Sequence, residues 1–162
     1  MITFRTIDLE KDRKNLIEFR KDAFMVSFGN LVGFHERKYE TYVKEKIRKF
    51  PEGFVLAEEG REVIGQLELS VQMFKNRRIG YVHLFYLTPK SRGKGYSKAL
   101  QSYAMQFFHA HQINEYHLRV APGNGRALRF YEKNGMTEIG PELHGKVIRM
   151  RGYSPHKKGG NK

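Results

Sequence analysis

The sequence contains no cysteine among its 162 residues. That absence excludes a disulfide framework, thiol catalysis and any zinc or iron site with Cys ligands. Acidic residues are scarce toward the C-terminus, where no Asp follows residue 22 and only four Glu residues follow residue 80. The net charge is +13, and +10 of it falls on residues 81–162. Such a field favours a polyanionic ligand, either nucleic acid, an acidic membrane or a phosphate-rich cofactor.

Long apolar runs are also missing. No uncharged stretch is long enough to cross a bilayer, and charged residues from Arg5 to Arg13 interrupt the apolar core that a secretory signal needs. We therefore expect a cytoplasmic protein with no membrane partner. The length and the 40% hydrophobic content suit one core. The sequence predicts a single domain over residues 1–153, followed by a basic flexible tail over residues 154–162.

Hydrophobic periodicity predicts the element order βααβββαβαββ. The predicted strands cover residues 2–7, 54–58, 62–72, 79–88, 117–121, 137–139 and 146–150, and the predicted helices cover residues 8–29, 36–49, 96–111 and 124–134. A strand, a helix and a strand follow one another over residues 80–121, which implies one parallel pairing in an otherwise antiparallel sheet. The predicted fold class is α/β in the layered α+β sense.

The most informative stretch is Arg92-Gly-Lys-Gly-Tyr-Ser97, which follows a predicted strand and opens a helix. Gly93 and Gly95 allow a tight turn with exposed amides, and the N-terminus of a helix presents free N–H groups to an anion. The spacing of these two glycines alone also fits an ordinary strand-to-helix turn. A Rossmann loop is excluded because Lys98 stands where its third glycine belongs, and no Walker sequence is present.

A second cluster runs from Asn124 to Met136. Asn124 suits a helix N-cap, and Tyr131 returns to the same stripe two helical turns later. The two side chains can therefore face one ligand. The alternative is a core position for Tyr131 with its hydroxyl group satisfied.

Together, these two stretches resemble the GNAT superfamily of acyl-CoA-dependent N-acyltransferases. The family signature is Arg or Gln, two residues, Gly, one residue, then Gly or Ala. Arg92, Gly95 and Ser97 occupy those places, and Ser97 is the departure. The resemblance extends to about residue 150. It implies a mostly antiparallel sheet with one splayed parallel strand pair, acetyl-CoA as the acyl donor, and direct transfer to an amine in a ternary complex, without a metal.

The resemblance also implies roles for residues. The pantetheine arm would pair with the backbone of the fourth strand, the pyrophosphate would bind loop amides, and one amide side chain would touch the pantetheine. These cofactor-binding residues are Phe85, Tyr86, Leu87, Arg92, Gly93, Lys94, Gly95, Tyr96, Ser97 and Asn124. Tyr131 would protonate the leaving thiolate, and the N–H near Leu87 would polarise the thioester carbonyl.

An amine acceptor must lose a proton before it attacks, because its pKa is roughly 10. His83 is the candidate base, since it precedes Phe85 by two residues on the same predicted strand face and imidazole titrates near neutrality. Some members of the resembled family carry His or Glu near this position. Tyr81 could instead relay the proton through water, and a purely structural His83 is an open alternative.

Parts of the sequence also fit other functions. A GNAT-like domain could bind coenzyme A without catalysis. A basic nucleic-acid-binding module would fit the charge, but the sequence lacks a stacking pattern or RNA-binding signature. Gly95-Tyr-Ser-Lys-Ala99 approaches a serine hydrolase elbow, yet no Asp follows to orient a histidine. His109 and His111 would diverge on a helix, so no metal site is expected.

The acceptor itself is not determined by the sequence. The resembled family would build its acceptor site from residues 27–35, the second helix and the turn at residues 73–78. Their aromatic side chains fit an apolar amine, and their basic ones equally fit an acceptor that bears a carboxylate or phosphate. Dimers are common among the resembled proteins, so a homodimer is an open expectation.

Overall fold

The computed structural model describes residues 1–154. The predicted tail therefore lies outside the described residues, apart from Ser154. The strands are β1 (Ile2–Thr6), β2 (Phe54–Glu59), β3 (Glu62–Phe74), β4 (Arg77–Leu87), β5 (Glu115–Val120), β6 (Thr137–Glu142) and β7 (Val147–Tyr153). The helices are α1 (Leu9–Phe28), α2 (Glu36–Lys49), α3 (Ser97–Ala110) and α4 (Gly125–Lys133). This order confirms the predicted βααβββαβαββ.

All seven strands form one sheet in the order β1-β2-β3-β4-β5-β7-β6. Only β4 and β5 are parallel, which confirms the predicted mixed sheet. Their pairing is short, because Gly80 to Val82 lie opposite Tyr116 to Leu118 and no pairing follows. The two strands separate beyond these residues, so a gap opens in the middle of the sheet.

A hydrophobic cluster covers each face of the sheet. On one face, Leu100 and Phe108 of α3 pack against Leu67 and Leu69 of β3. On the other face, the apolar sides of α1 and α2 pack against β2 and β4, with Leu84 among the buried residues. Burial of this apolar surface is the main favourable term in folding. The two layers of helices hold the central strands, and hence the gap, in place.

Several observed strand ends differ from the predicted ones by one to three residues. β3 and β4 continue to a two-residue turn at Lys75 and Asn76, which both have positive φ, as a tight hairpin turn requires. β6 continues through Gly140 and Pro141, where the sequence predicted an end. It can do so because β6 is an edge strand, where proline removes no ladder hydrogen bond.

Two predicted helix caps are confirmed. The Asp8 carboxylate accepts hydrogen bonds from the N–H groups of Glu10 and Lys11, and Asn124 caps α4. Such caps satisfy N–H groups that have no partner inside the helix. Among residues 1–154, none of the helices combines the length and the apolar character needed to span a membrane.

Candidate active site

A cavity of about 810 Å³ occupies the gap between β4 and β5. Its two ends differ. The loop end is formed by residues 92–97 except Lys94, together with Asn124, and the arginine end is formed by Tyr81, Arg119 and Arg149. Most of the predicted site residues line this cavity, which brings together parts of the chain that are more than 30 residues apart.

Backbone groups of β4 face the gap. Thr88 donates its N–H to the carbonyl of Ile64 at 2.9 Å, and Leu87 lies opposite Gly65. Hydrogen-bonded and non-hydrogen-bonded pairs alternate in an antiparallel ladder, so the N–H groups of Leu87 and Phe85 point away from β3. They face the gap, because β5 has already separated from β4. An extended ligand could pair with them as an added strand would.

The loop end presents free amides. Gly93 and Gly95 adopt φ values of +74° and +84°, which glycine tolerates and other residues avoid. No side chain caps α3, whose N-cap is Tyr96. Within residues 1–154, the amides from Gly93 to Ser97 have no hydrogen-bond acceptor. This arrangement suits a diphosphate, because free N–H groups and the helix dipole both attract an anion.

Two predicted cofactor residues of the loop behave differently from the rest. The side chain of Arg92 turns back to the protein, where it donates to the carbonyl of Leu87 at 2.9 Å and to Asp22 at 2.7 Å. It therefore fixes the loop against β4 and α1. Lys94 does not belong to the cavity lining. The loop therefore presents backbone N–H groups to the cavity, whereas its two basic side chains are directed elsewhere.

Tyr131 lies on the wall of the cavity, with its ring 6.4 Å from that of Phe85. Asn124 lines the same cavity, and its Oδ1 accepts the N–H of Ala127 at 3.2 Å. Burial raises the pKa of Tyr131 above its ordinary value, and the neighbouring Tyr116 adds to the effect. The phenol is therefore protonated at neutral pH and can act as an acid.

The prediction that His83 and Phe85 share one face of the strand is wrong. β4 carries a bulge at this residue, because Leu84 pairs with Glu68 and Val82 pairs with the next residue, Leu69. The extra residue reverses the alternation of side chains. His83 lies on the α1 and α2 side, whereas Phe85 packs against the cluster on the α3 side.

His83 does line the cavity, next to Tyr81 with ring centroids 4.7 Å apart. Its Nε2 forms a 2.7 Å hydrogen bond with the Ser70 hydroxyl. Burial lowers the pKa of His83 to about 3, with the charges of Lys46 and Arg20 acting in the same direction. The imidazole is therefore neutral at neutral pH. The expected titration near neutrality does not hold at this position.

A buried polar cluster behind His83 was missed by the sequence reasoning. The Glu68 side chain is fully buried, accepts hydrogen bonds from Tyr39 and Gln66, and lies 3.8 Å from the guanidinium of Arg20. Arg20 also reaches the cavity wall. A signal was present, since Gln66 and Glu68 interrupt the apolar side chains of a strand that is buried on both faces.

The arginine end was also missed. Arg119 of β5 lies opposite Arg149 of β7, and both donate to the carboxylate of Glu142 at 2.8 Å. Nothing in the sequence links these positions, because three strands supply them. The lining of the cavity contains five arginines and, within residues 1–154, no Asp or Glu.

Comparison with known proteins agrees with this geometry. A mycothiol acetyltransferase of Streptomyces griseus is 32% identical over 140 residues, which cover 84% of this chain and 43% of that protein. The chain thus spans less than half of this relative. The crystal structure of PH1933 from Pyrococcus horikoshii has a TM-score of 0.71 and 25% identity, over 96% of this chain and 100% of that one.

A PaiA N-acetyltransferase from Thermoplasma acidophilum, solved in complex with coenzyme A, has the same fold. Its TM-score is 0.69 at 22% identity, over 94% of this chain and 99% of that one. The profile of the acetyltransferase (GNAT) family matches residues 14–136. This match contains both predicted motifs and every element from α2 to α4. The chain therefore belongs to the acetyltransferase (GNAT) family.

Proposed function

We propose that the protein is an N-acetyltransferase that moves the acetyl group of acetyl-CoA directly to an amine acceptor in a ternary complex. One observation carries the proposal. The uncapped amides from Gly93 to Ser97 and the free N–H groups of Phe85 and Leu87 open onto the same cavity, at the gap between β4 and β5. This combination suits a ligand with a diphosphate at one end and an extended arm at the other.

The cofactor would lie along this backbone track. The loop amides would hold the pyrophosphate, the N–H groups of Phe85 and Leu87 would pair with the pantetheine arm, and Asn124 would contact that arm with its free amide nitrogen. Acetyl-CoA would supply an activated thioester. Of these two N–H groups, that of Phe85 lies farther from the loop end, so we assign it to the thioester carbonyl oxygen.

The reaction forms one C–N bond and breaks one C–S bond. The neutral amine attacks the carbonyl carbon, and the thiolate leaves with the electron pair of the C–S bond. Tyr131 donates its phenolic proton to the sulfur, and the attacking nitrogen gives up its extra proton to solvent water in the open cavity. A proton from that water then restores the Tyr131 phenol. A positioned acid of this kind contributes about 10²- to 10⁴-fold.

His83 has a smaller part in this proposal than the sequence suggested. A base whose pKa is about 3 holds a proton poorly at neutral pH. With Nε2–H donating to the Ser70 hydroxyl, Nδ1 of the neutral ring can accept a hydrogen bond from the amine, and Ser70 fixes the orientation of that ring. We therefore assign His83 to orienting the acceptor, and we leave removal of the amine proton to water.

Steady-state kinetics with acetyl-CoA and a panel of amines and peptides test the proposal. Direct transfer predicts intersecting double-reciprocal lines and no acetylated enzyme by intact-mass spectrometry. Parallel lines or an acetyl-enzyme would contradict the ternary complex. A domain that binds coenzyme A without catalysis is the second candidate, and it would give a thermal shift with coenzyme A and no turnover with any amine.

A further inference from the structure

Two arginines stand where the gap in the sheet begins. Leu118 is the last residue of β5 that pairs with β4, and Arg119 follows it directly. Arg149 lies opposite Arg119 on β7. Both side chains line the cavity, and the guanidinium of Arg149 lies 5.6 Å from the centre of the Tyr81 ring. Tyr81 in turn contacts His83, so the pair is one side chain away from the residue assigned to the amine.

The charge of this pair is only partly balanced. Glu142 bonds to the Nε atom of both guanidinium groups, so a single negative charge serves two positive ones. The side chain of Arg149 is only 6% exposed. A buried charge without full compensation is costly, and an anionic ligand would remove that cost.

His117 does not supply the missing charge. Its Nδ1 accepts a 2.9 Å hydrogen bond from Nη1 of Arg149, because arginine can only donate, and its Nε2 donates to Glu115 at 2.6 Å. The ring is thus held as the neutral tautomer. Glu115 is already bound by Arg77 through two hydrogen bonds. The series of hydrogen bonds that runs from Arg77 through Glu115 and His117 to Arg149 therefore orients Arg149 without neutralising its charge.

Both arginines keep donors for a ligand. Within the described part of the chain, no acceptor bonds to Nη2 of Arg149 or to either Nη atom of Arg119. Glu142 holds the Nε sides and His117 holds Nη1 of Arg149, which leaves Nη2 of Arg149 and both Nη atoms of Arg119 for a ligand. Planar guanidinium groups with paired donors match the geometry of carboxylate and phosphate oxygens.

The other charges of the cavity wall do not favour a polyamine. Arg20 lies beside Glu68, and Arg92 is paired with Asp22. No carboxylate of residues 1–154 lines the cavity to receive a second ammonium group. A cationic acceptor would therefore meet repulsion at the arginine end, whereas an anionic group would meet free donors.

We propose that the acceptor is an amine that also carries a carboxylate or a phosphate, and that Arg119 and Arg149 bind this anionic group. The inference rests on the proposed function and names the substrate class of the same cavity. It places the anionic group at the root of the gap and the amino group toward His83 and the thioester.

Matched acceptors that differ only in the anionic group provide the test. O-Phosphoethanolamine is compared with ethanolamine, and ω-amino acids of three to six carbons are compared with alkylamines of the same length. We expect kcat/KM to be about ten- to a hundredfold higher for the anionic member of at least one pair, as charge-assisted hydrogen bonds imply. Comparing the phosphate-bearing acceptor with the carboxylate-bearing acceptors shows which of the two anionic groups the site prefers. If every amine without the anionic group gives an equal or higher kcat/KM than its anionic partner, the inference is overturned.

Arg119→Met tests the assignment of residues. Arg119 is 40% exposed, so the variant is expected to fold. We expect it to lower kcat/KM about ten- to a hundredfold for the preferred anionic acceptor, mainly through KM, and by a much smaller factor for the matched amine without the anionic group. Arg119→Lys keeps the charge and loses the paired donors. Its kcat/KM for the anionic acceptor should therefore lie between the values of the wild-type protein and of Arg119→Met. Arg48→Met on the exposed side of α2 is the matched control.

Failure of this inference is distinguishable from failure of the proposed function. If Arg119→Met lowers turnover equally for amines with and without the anionic group, the anion assignment is wrong while acetyl transfer stands. If no amine is acetylated and acetyl-CoA gives no thermal shift, the proposed function itself is wrong. Arg149→Met, whose side chain is buried, is interpreted only if its thermal unfolding matches that of Arg119→Met.

Discussion

The two ends of the cavity are built by different means. The loop end uses backbone amides from one continuous stretch, residues 92–97, with glycines that permit the turn. The arginine end uses charged side chains from strands that are distant in the sequence. Backbone donors recognise a feature common to all coenzyme A thioesters, whereas side chains can change without altering the fold. The loop end therefore serves a constant task, whereas the arginine end can differ from one protein to the next.

We expect a single substitution at the loop end to weaken ligand binding more than one at the arginine end. Gly95→Val places a β-branched residue at a φ of +84°, where strain costs on the order of 1–3 kcal/mol. No atom lies within 4 Å of the new Cβ, so only backbone strain acts. We expect coenzyme A to bind about ten- to a hundredfold more weakly by isothermal titration calorimetry.

Gly60→Val is the control for this variant. Gly60 has a φ of +62° and equally open surroundings, but it lies in the turn between β2 and β3, outside the cavity lining. It should lose similar stability without losing affinity for coenzyme A. Equal losses of affinity in both variants would show that the loop at residues 92–97 is not the binding element.

Tyr131 tests the chemistry between the two ends. Tyr131→Phe removes the acid and keeps the packing on Phe85, so we expect kcat to fall about 10²-fold and the affinity for coenzyme A to stay within about twofold. Tyr116→Phe is the matched control, because that hydroxyl bonds to Gln101 and does not line the cavity. An unchanged kcat in Tyr131→Phe would remove this residue from the mechanism.

The pH dependence tests the role assigned to His83. The amine must be deprotonated before it attacks, and the deprotonated fraction grows with pH. We therefore expect kcat/KM to rise between pH 6 and 9. The low pKa of His83 places its own titration far below this range. His83→Gln should therefore raise KM a few-fold and leave the slope of the profile unchanged. A flattened slope in that variant would restore His83 as the base.

The smallest effect is expected at the departure from the family signature. Ser97 begins α3 and contributes its amide to the loop end. Ser97→Ala keeps that amide, so both kcat and the affinity for acetyl-CoA should stay within about twofold in steady-state assays. Loss of activity would instead indicate a nucleophilic serine and favour the hydrolase interpretation.

The sequence predicted what is encoded locally. Order of elements, the caps at Asp8 and Asn124, and the anion site at residues 92–97 all depend on neighbours within a few residues, and the fold and both caps are confirmed. The bulge at His83 was not predictable, because it is defined by pairing with Glu68 and Leu69 on another strand. The arginine end was missed for the same reason. The homodimer and the cytoplasmic location stay predictions.

The bulge gives β4 a phase shift. His83 and the next residue, Leu84, both lie on the α1 and α2 side, so the inserted residue adds an imidazole to the wall of the gap. Because Val82 and Leu84 already pair with the neighbouring residues Leu69 and Glu68, removing His83 would close the bulge and leave the side chains before and after it on their present faces. A deletion of this single residue would thus take the imidazole out of the cavity wall without disturbing the rest of the strand, which offers a direct route to a different acceptor on the same scaffold.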